Sequence, residues 1–236
     1  MNKKIYKMVG RVVFPMLLFL LGSVSCQQTK KERTWMTNCE EFYRSVMDSL
    51  PANPQRIRSL TLQNMERAGD SLEWCYYAVI VLKTYMYSSD VDSAYSLANR
   101  LEEFCNRQQP SPYIADLRSE YLNVRGNVYV RVGNIDSAVV SFTDSYEQRL
   151  QGTKKELIPD ILINLADAYS RQGKYDVSAY WYRKALQTVD SLKVSIEKRP
   201  PVYYGLAQVY MSLHDFDQSE YYYNLAGVSY DKMLPY

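Results

Sequence analysis

Four times along this 236-residue chain a tyrosine closes one apolar stretch, and six residues later an apolar-Asp pair opens the next. Tyr85 precedes Val91-Asp92, Tyr129 precedes Ile135-Asp136, Tyr169 precedes Tyr175-Asp176, and Tyr210 precedes Phe216-Asp217. The steps are 44, 40 and 41 residues in both series. Self-similarity at such a period marks a stacked array of supersecondary units, each too small to bury its apolar face alone.

Reading outward from each tyrosine, the position three before it holds Leu82, Gly126, Ala166 and Ala207, and only the first is large. The position three after the start of each apolar-Asp pair holds Ala94, Ala138, Ser178 and Ser219. Ala98, Phe142, Tyr182 and Tyr223 follow at four, then Leu101, Ser145, Ala185 and Ala226 at three. Spacings of three and four place these residues on one helical face. Small residues there let neighbouring helices approach closely. Gly133 and Gly173 stand where a first helix must stop, because glycine accepts a left-handed C-terminal cap at no steric cost. Asp92, Asp136, Asp176 and Asp217 are expected as N-caps or first-turn acids of the second helix. Each unit is therefore two antiparallel helices joined by a tight turn.

The run Leu165-Ala166-Asp167-Ala168-Tyr169 through Gly173-Lys174-Tyr175 to Tyr182 and Ala185 resembles the tetratricopeptide repeat, with Leu162 at the family's usual tryptophan position. The family's period is about 34 residues, so longer helices or joints are expected here. The resemblance covers residues 71–236 and implies an all-α, right-handed superhelical solenoid of antiparallel helix pairs, with units at about 71–108, 117–152, 157–194 and 199–236. Residues 35–70 read as a further helical hairpin broken by Pro51 and Pro54, a degenerate repeat or N-terminal cap.

The first residues differ in kind. Lys3, Lys4, Lys7 and Arg11 form a basic region, Val12 to Leu21 an apolar stretch of ten, and Gly22-Ser23-Val24-Ser25 a run of small residues ending at Cys26. This is the layout of a bacterial secretion signal over 1–25, too short in its apolar part for a permanent spanning helix. Cys26 after the small run resembles a lipobox, which implies lipidation of Cys26, a linker over 26–34, and an envelope lipoprotein. Gln27 and the absence of an acidic run after it favour the outer membrane, facing the periplasm. Ordinary cleaved secretion and an uncleaved anchor are the alternatives.

Charge follows the same division. The whole chain is +2, but residues 1–25 hold four basic residues and no acid, which leaves 26–236 at −2. A near-neutral body has no electrostatic footprint for nucleic acid. Catalytic chemistry also lacks material. His214 is the one histidine, at the turn position where Gly173 stands in the preceding unit, and it reads as a turn residue facing water. No cysteine pair has zinc-ligand spacing and no glycine-rich phosphate loop occurs, so no metal, cofactor or enzymatic activity is expected. Beyond Cys26 there are Cys39, Cys75 and Cys105. Hairpin geometry would bring Cys75 near Cys105, so a disulfide there stands beside the reading of buried thiols that pack as small hydrophobes.

What remains is binding. In arrays of the family that this chain resembles, the first helix of each unit lines the concave face. Carried over, that face holds Tyr76, Val79, Lys83 and Tyr87, then Glu120, Asn123, Asn127 and Arg131, then Asp160, Ile163, Asn164, Asp167 and Arg171, then Tyr204, Gln208 and Met211. Asn123, Asn127 and Arg131 recur every four residues and resemble in part the clamp with which some relatives hold a peptide carboxylate. A hydrated face without ligand is the competing reading. The 23 tyrosines exceed what repeat packing requires, which suits an interface or bridging between long helices. Tyr222, Leu225 and Val228 of the fourth unit would form an uncapped stacking face open to a partner or a second copy. The expected function is a non-catalytic, envelope-tethered scaffold or adaptor that binds a protein or peptide. The alternative is the sensory part of a repeat-containing regulator of the Bacteroidetes type.

Overall fold

A computed structural model describes residues 37–47, 49–69, 71–87, 90–193 and 198–231, with side chains to residue 227. The signal segment and Cys26 lie outside the described residues. Helix α1 covers 37–47. It is followed by α2 (Pro54–Arg67), α3 (Ser71–Tyr85), α4 (Val91–Asn106), α5 (Pro112–Arg131), α6 (Ile135–Gln151), a single 3-10 turn (Lys155–Leu157), α7 (Ile158–Arg171), α8 (Tyr175–Leu192), α9 (Arg199–Ser212) and α10 (Phe216–Asp231). No strand occurs among the described residues.

The joints follow local chemistry. Asp90, Asn134 and Asp215 cap the second helices, their side chains accepting from the amides of Ser93, Ser137 and Gln218. Asp92, Asp136, Asp176 and Asp217 sit in the first turn, where a negative charge complements the helix dipole. Gly133 and Gly173 take positive φ values of 80° and 74°. His214 holds the equivalent turn at φ 60°, so a residue with a Cβ adopts the conformation that glycine takes in the two preceding units.

Within the units the small residues do what their spacing predicts. A Cβ on Gly126 would lie 2.5 Å from the Phe142 ring, so only glycine lets α5 and α6 close on that side chain. Ser178 and Ser219 donate to the Ala166 and Ala207 carbonyls at 2.8 and 2.9 Å, tying the second helix to the first in the last two units. Leu82, fully buried at the matching position, keeps α3 and α4 from approaching as closely as the later pairs do.

The units are joined through the anchor tyrosines and through the second-helix stripe. Arg58 of α2 lies 4.0 Å over the Tyr85 ring, Tyr95 of α4 meets Tyr129 edge-on at 5.5 Å, and Arg183 of α8 donates to the Tyr210 hydroxyl at 2.7 Å. Phe142 and Tyr182 are buried against the unit that follows, while Tyr223, at the same place in the last pair, is 37% exposed. Each fully buried large side chain contributes roughly 1.5–3 kcal/mol. The hairpin of α1 and α2 packs on α3 through Cys39, Val46, Leu50, Ile57, Tyr77 and Ile80, so the N-terminal pair continues the stack.

Cys75 and Cys105 are thiols, not a disulfide. Both are buried in the cluster formed by α3, α4 and α5, where they fill space as hydrophobes, and burial pushes the Cys105 thiol up to about 11.

Candidate functional site

In a curved stack, elements on the inside of the bend meet their counterparts in the next unit. Helix α3 packs on α5, α5 on α7 and α7 on α9, whereas the second helices meet chiefly the first helices before and after them. The first helices therefore form the inner wall.

Polar side chains cross this wall from helix to helix. The Lys83 ammonium on α3 pairs with Glu120 on α5 at 2.7 Å and donates to the Tyr43 hydroxyl on α1 at 3.1 Å. Glu120 also accepts from Arg149 of α6 at 2.8 Å, and the other arm of that guanidinium reaches Asp116 at 2.8 Å. Asp116 in turn accepts from the backbone and hydroxyl of Thr153 at 2.9 and 2.6 Å and from the Lys154 amide at 3.3 Å. Asn164 donates to the Asn123 side chain at 2.9 Å, and Lys198 reaches Asp160 at 2.7 Å.

Arg149 is 1% exposed, so its charge survives only because two carboxylates neutralise it. Burial works against the Glu120 carboxylate, but Lys83 and Arg149 outweigh it and hold the group at about 2. Burial likewise opposes the Lys83 charge, and Glu120 with Tyr43 overcomes it, keeping the ammonium above its usual range. Glu120 and Lys83 therefore face each other as a charged pair throughout the physiological range.

Beside it lies a cavity of about 190 Å3. Tyr43, Tyr76, Val79, Leu117 and Leu157 line it together with Glu40, Arg44, Asp116, Glu120, Lys154 and Glu156. The Tyr76 ring sits 5.3 Å from that of Tyr113. Burial pushes the Tyr76 phenol up to about 12, the bond with Tyr113 opposing in part, so the Tyr76 ring faces the cavity as a neutral π surface.

The expected groove residues divide into three groups. Tyr76 and Lys83 reach the cavity and the charged network, and Asn123 and Asn164 meet across α5 and α7, with Asn127 donating back to the Asn123 carbonyl at 2.9 Å. Tyr87, Asp167, Arg171, Tyr204 and Gln208 stand exposed; Asp167 accepts from the Tyr182 hydroxyl and Tyr204 packs edge-on against Tyr223 at 5.7 Å. Arg131 is occupied elsewhere. Its guanidinium donates to the Tyr85 and Met86 carbonyls at 3.0 Å, closing the end of α3, so its donors are engaged there and not beside Asn123 and Asn127.

Asp116, Arg149 and Lys154 were missed by spacing arguments. The available signal was Arg149 itself, which extends the stripe Ala138, Phe142, Ser145 by four residues to the register of Cys105 and Val189. A charge at a buried register needs a partner. Among the described residues no group of histidine, cysteine or acidic side chains could hold a metal ion, and no helix is long and apolar enough to cross a membrane.

Comparison with known proteins agrees with this architecture. Residues 117–190 match the tetratricopeptide repeat family model. The fold resembles that of Bacillus thuringiensis PlcR, solved in complex with the peptide PapR7 and DNA, with a TM-score of 0.66 at 15% identity over 84% of this chain and 71% of that one. BtubC (BKLC) from P. vanneervenii aligns at 16% identity over 83% of this chain and 93% of that one, with a TM-score of 0.44. No curated protein matches the chain significantly. The chain thus carries tetratricopeptide repeats over residues 117–190, its second and third units, and the same paired-helix geometry continues on either side.

Proposed function

We propose that the chain is a non-catalytic scaffold that binds a protein or an extended peptide along the wall of first helices. The observation that carries this reading is the row of half-buried polar side chains crossing from α1 to α9, interrupted by one cavity. Amides such as Asn127 and Asn164 beside fixed charges suit a peptide backbone, whose donors and acceptors must be matched on leaving water. The reading takes the array as a right-handed superhelical solenoid, with Tyr87, Tyr204 and Gln208 as outer contacts. It takes Cys26 as a lipid attachment site that tethers the array to the bacterial envelope, on the outer membrane facing the periplasm. It assigns no nucleic acid, because residues 26–236 carry −2.

The second reading, a sensory region of a regulator, is favoured by the likeness to PlcR, a protein solved with both a peptide and DNA. Under either reading the inner wall is the binding surface.

The test is capture from detergent-solubilised envelopes by the full chain and by an Asn127→Ala, Asn164→Ala variant. Loss of the captured protein or peptide in the variant supports the reading. Equal capture by both forms would overturn it.

A further inference from the structure

The cavity bounded by α1, α3, α5 and the 152–157 connection has a chemistry that the polar wall alone does not require. At about 190 Å3 it holds one long side chain and no more. Phenol rings of Tyr43 and Tyr76 flank it, Val79 and Leu117 supply apolar lining, and four carboxylates face it against the two cations Arg44 and Lys154. Two of the carboxylates are engaged from behind, Asp116 by Arg149 and Thr153, and Glu120 by Lys83 and Arg149. Glu40 and Glu156 keep acceptor capacity toward the cavity.

The molecule already shows which charge these walls accept. The Lys83 ammonium lies 5.3 Å from the centre of the Tyr43 ring, and the Lys154 ammonium 5.4 Å from that of Tyr76. An aromatic face attracts a cation through its quadrupole and repels a carboxylate. Lys154 is loosely held: its nitrogen is 3.6 Å from Glu40, and the two side chains are 31% and 41% exposed. A tight charge-assisted bond would be about 2.8 Å. Lys154 also belongs to a connection, not to a helix, so it leaves the ring at little cost.

We infer that this cavity is a specificity pocket for a lysine or arginine side chain of a peptide lying in the groove, with Lys154 as its internal stand-in. The inference rests on the peptide-binding reading and gives it a substrate class. The incoming methylenes lie on Val79 and Leu117, the cation takes the Tyr76 face and Glu40, and the Lys154 ammonium moves out to water. Arg44 and Lys154, the two cations of the lining, are the features that would suit an acidic side chain instead, and the test separates the two.

The full chain, labelled with 13C at its tyrosine rings, is titrated by NMR with capped tripeptides, acetyl-Ala-X-Ala-amide, where X is lysine, arginine, norleucine or glutamate. Saturable shifts at Tyr43 and Tyr76 are expected with the lysine and arginine probes, and binding about tenfold weaker or absent with norleucine and glutamate. Glu40→Gln weakens the lysine probe about tenfold. Lys154→Ala tightens it by roughly threefold, because an internal competitor is gone. The pocket assignment is overturned by tighter binding of the glutamate probe, by equal binding of lysine and norleucine, by no tyrosine shift with any probe, or by weaker binding in Lys154→Ala. Both substituted side chains are partly exposed, and unchanged helical circular dichroism verifies their fold. A silent pocket with capture still dependent on Asn127 and Asn164 sinks this inference alone; capture indifferent to those residues sinks the scaffold reading.

Discussion

At the turn between α9 and α10, His214 carries a backbone conformation that Gly133 and Gly173 carry in the preceding units. A Cβ in the left-handed region costs roughly 1–2 kcal/mol, partly offset by the greater entropy that glycine loses on folding. His214→Gly is accordingly expected to stabilise the chain by about 0.5–1 kcal/mol, and His214→Val to destabilise it, both measured by urea denaturation. The opposite sign is expected at Gly126. There a methyl group meets the Phe142 ring at 2.5 Å, in a core that cannot shift freely. Gly126→Ala is predicted to cost about 1–3 kcal/mol. Phe142→Leu in the same chain should recover part of that loss; no recovery would place the strain elsewhere.

Between elements, the decisive contact is the buried guanidinium of Arg149 spanning α6 to α5. Removing it by Arg149→Ala strands the buried Asp116 without its counter-charge and leaves Glu120 with Lys83 alone, and about 3–5 kcal/mol of stability is expected to go. The same network predicts a pH dependence. The folded pKa of Glu120 lies near 2, below its ordinary 4.5, so its contribution is complete above pH 4.5 and is lost as the pH falls toward 2. Glu120→Gln should flatten that limb of a stability-against-pH profile. An unchanged acid limb in this variant would show that the carboxylate is not held as described.

This is also where sequence reading reached its limit. The helix pairs, their turns and their small packing residues were legible because each depends on neighbours three or four residues away. The Arg149–Asp116 contact spans 33 residues, and no periodicity links a basic residue on one helix to a chosen acid on another. Arg131 shows the converse. Spacing placed it in line with Asn123 and Asn127, yet the carbonyls at the end of α3 lie within its reach and engage it first. The possible Cys75–Cys105 bridge was a matter of proximity along the hairpin, and the structure keeps both as packed thiols.

At the scale of the whole molecule, the repeat sets two unlike surfaces. The first helices approach one another across units and present the polar row and the cavity, while the second helices face outward and show Val140, Tyr180 and Tyr221 as scattered exposed side chains. A partner bound along the inner wall would bury the first kind of helix and leave the second in water. Hydrogen–deuterium exchange of the chain with and without its captured partner separates these directly. Added protection should fall on α3, α5 and α7 and spare α4, α6 and α8. Protection confined to the second helices, or to α10, would contradict binding through the inner wall.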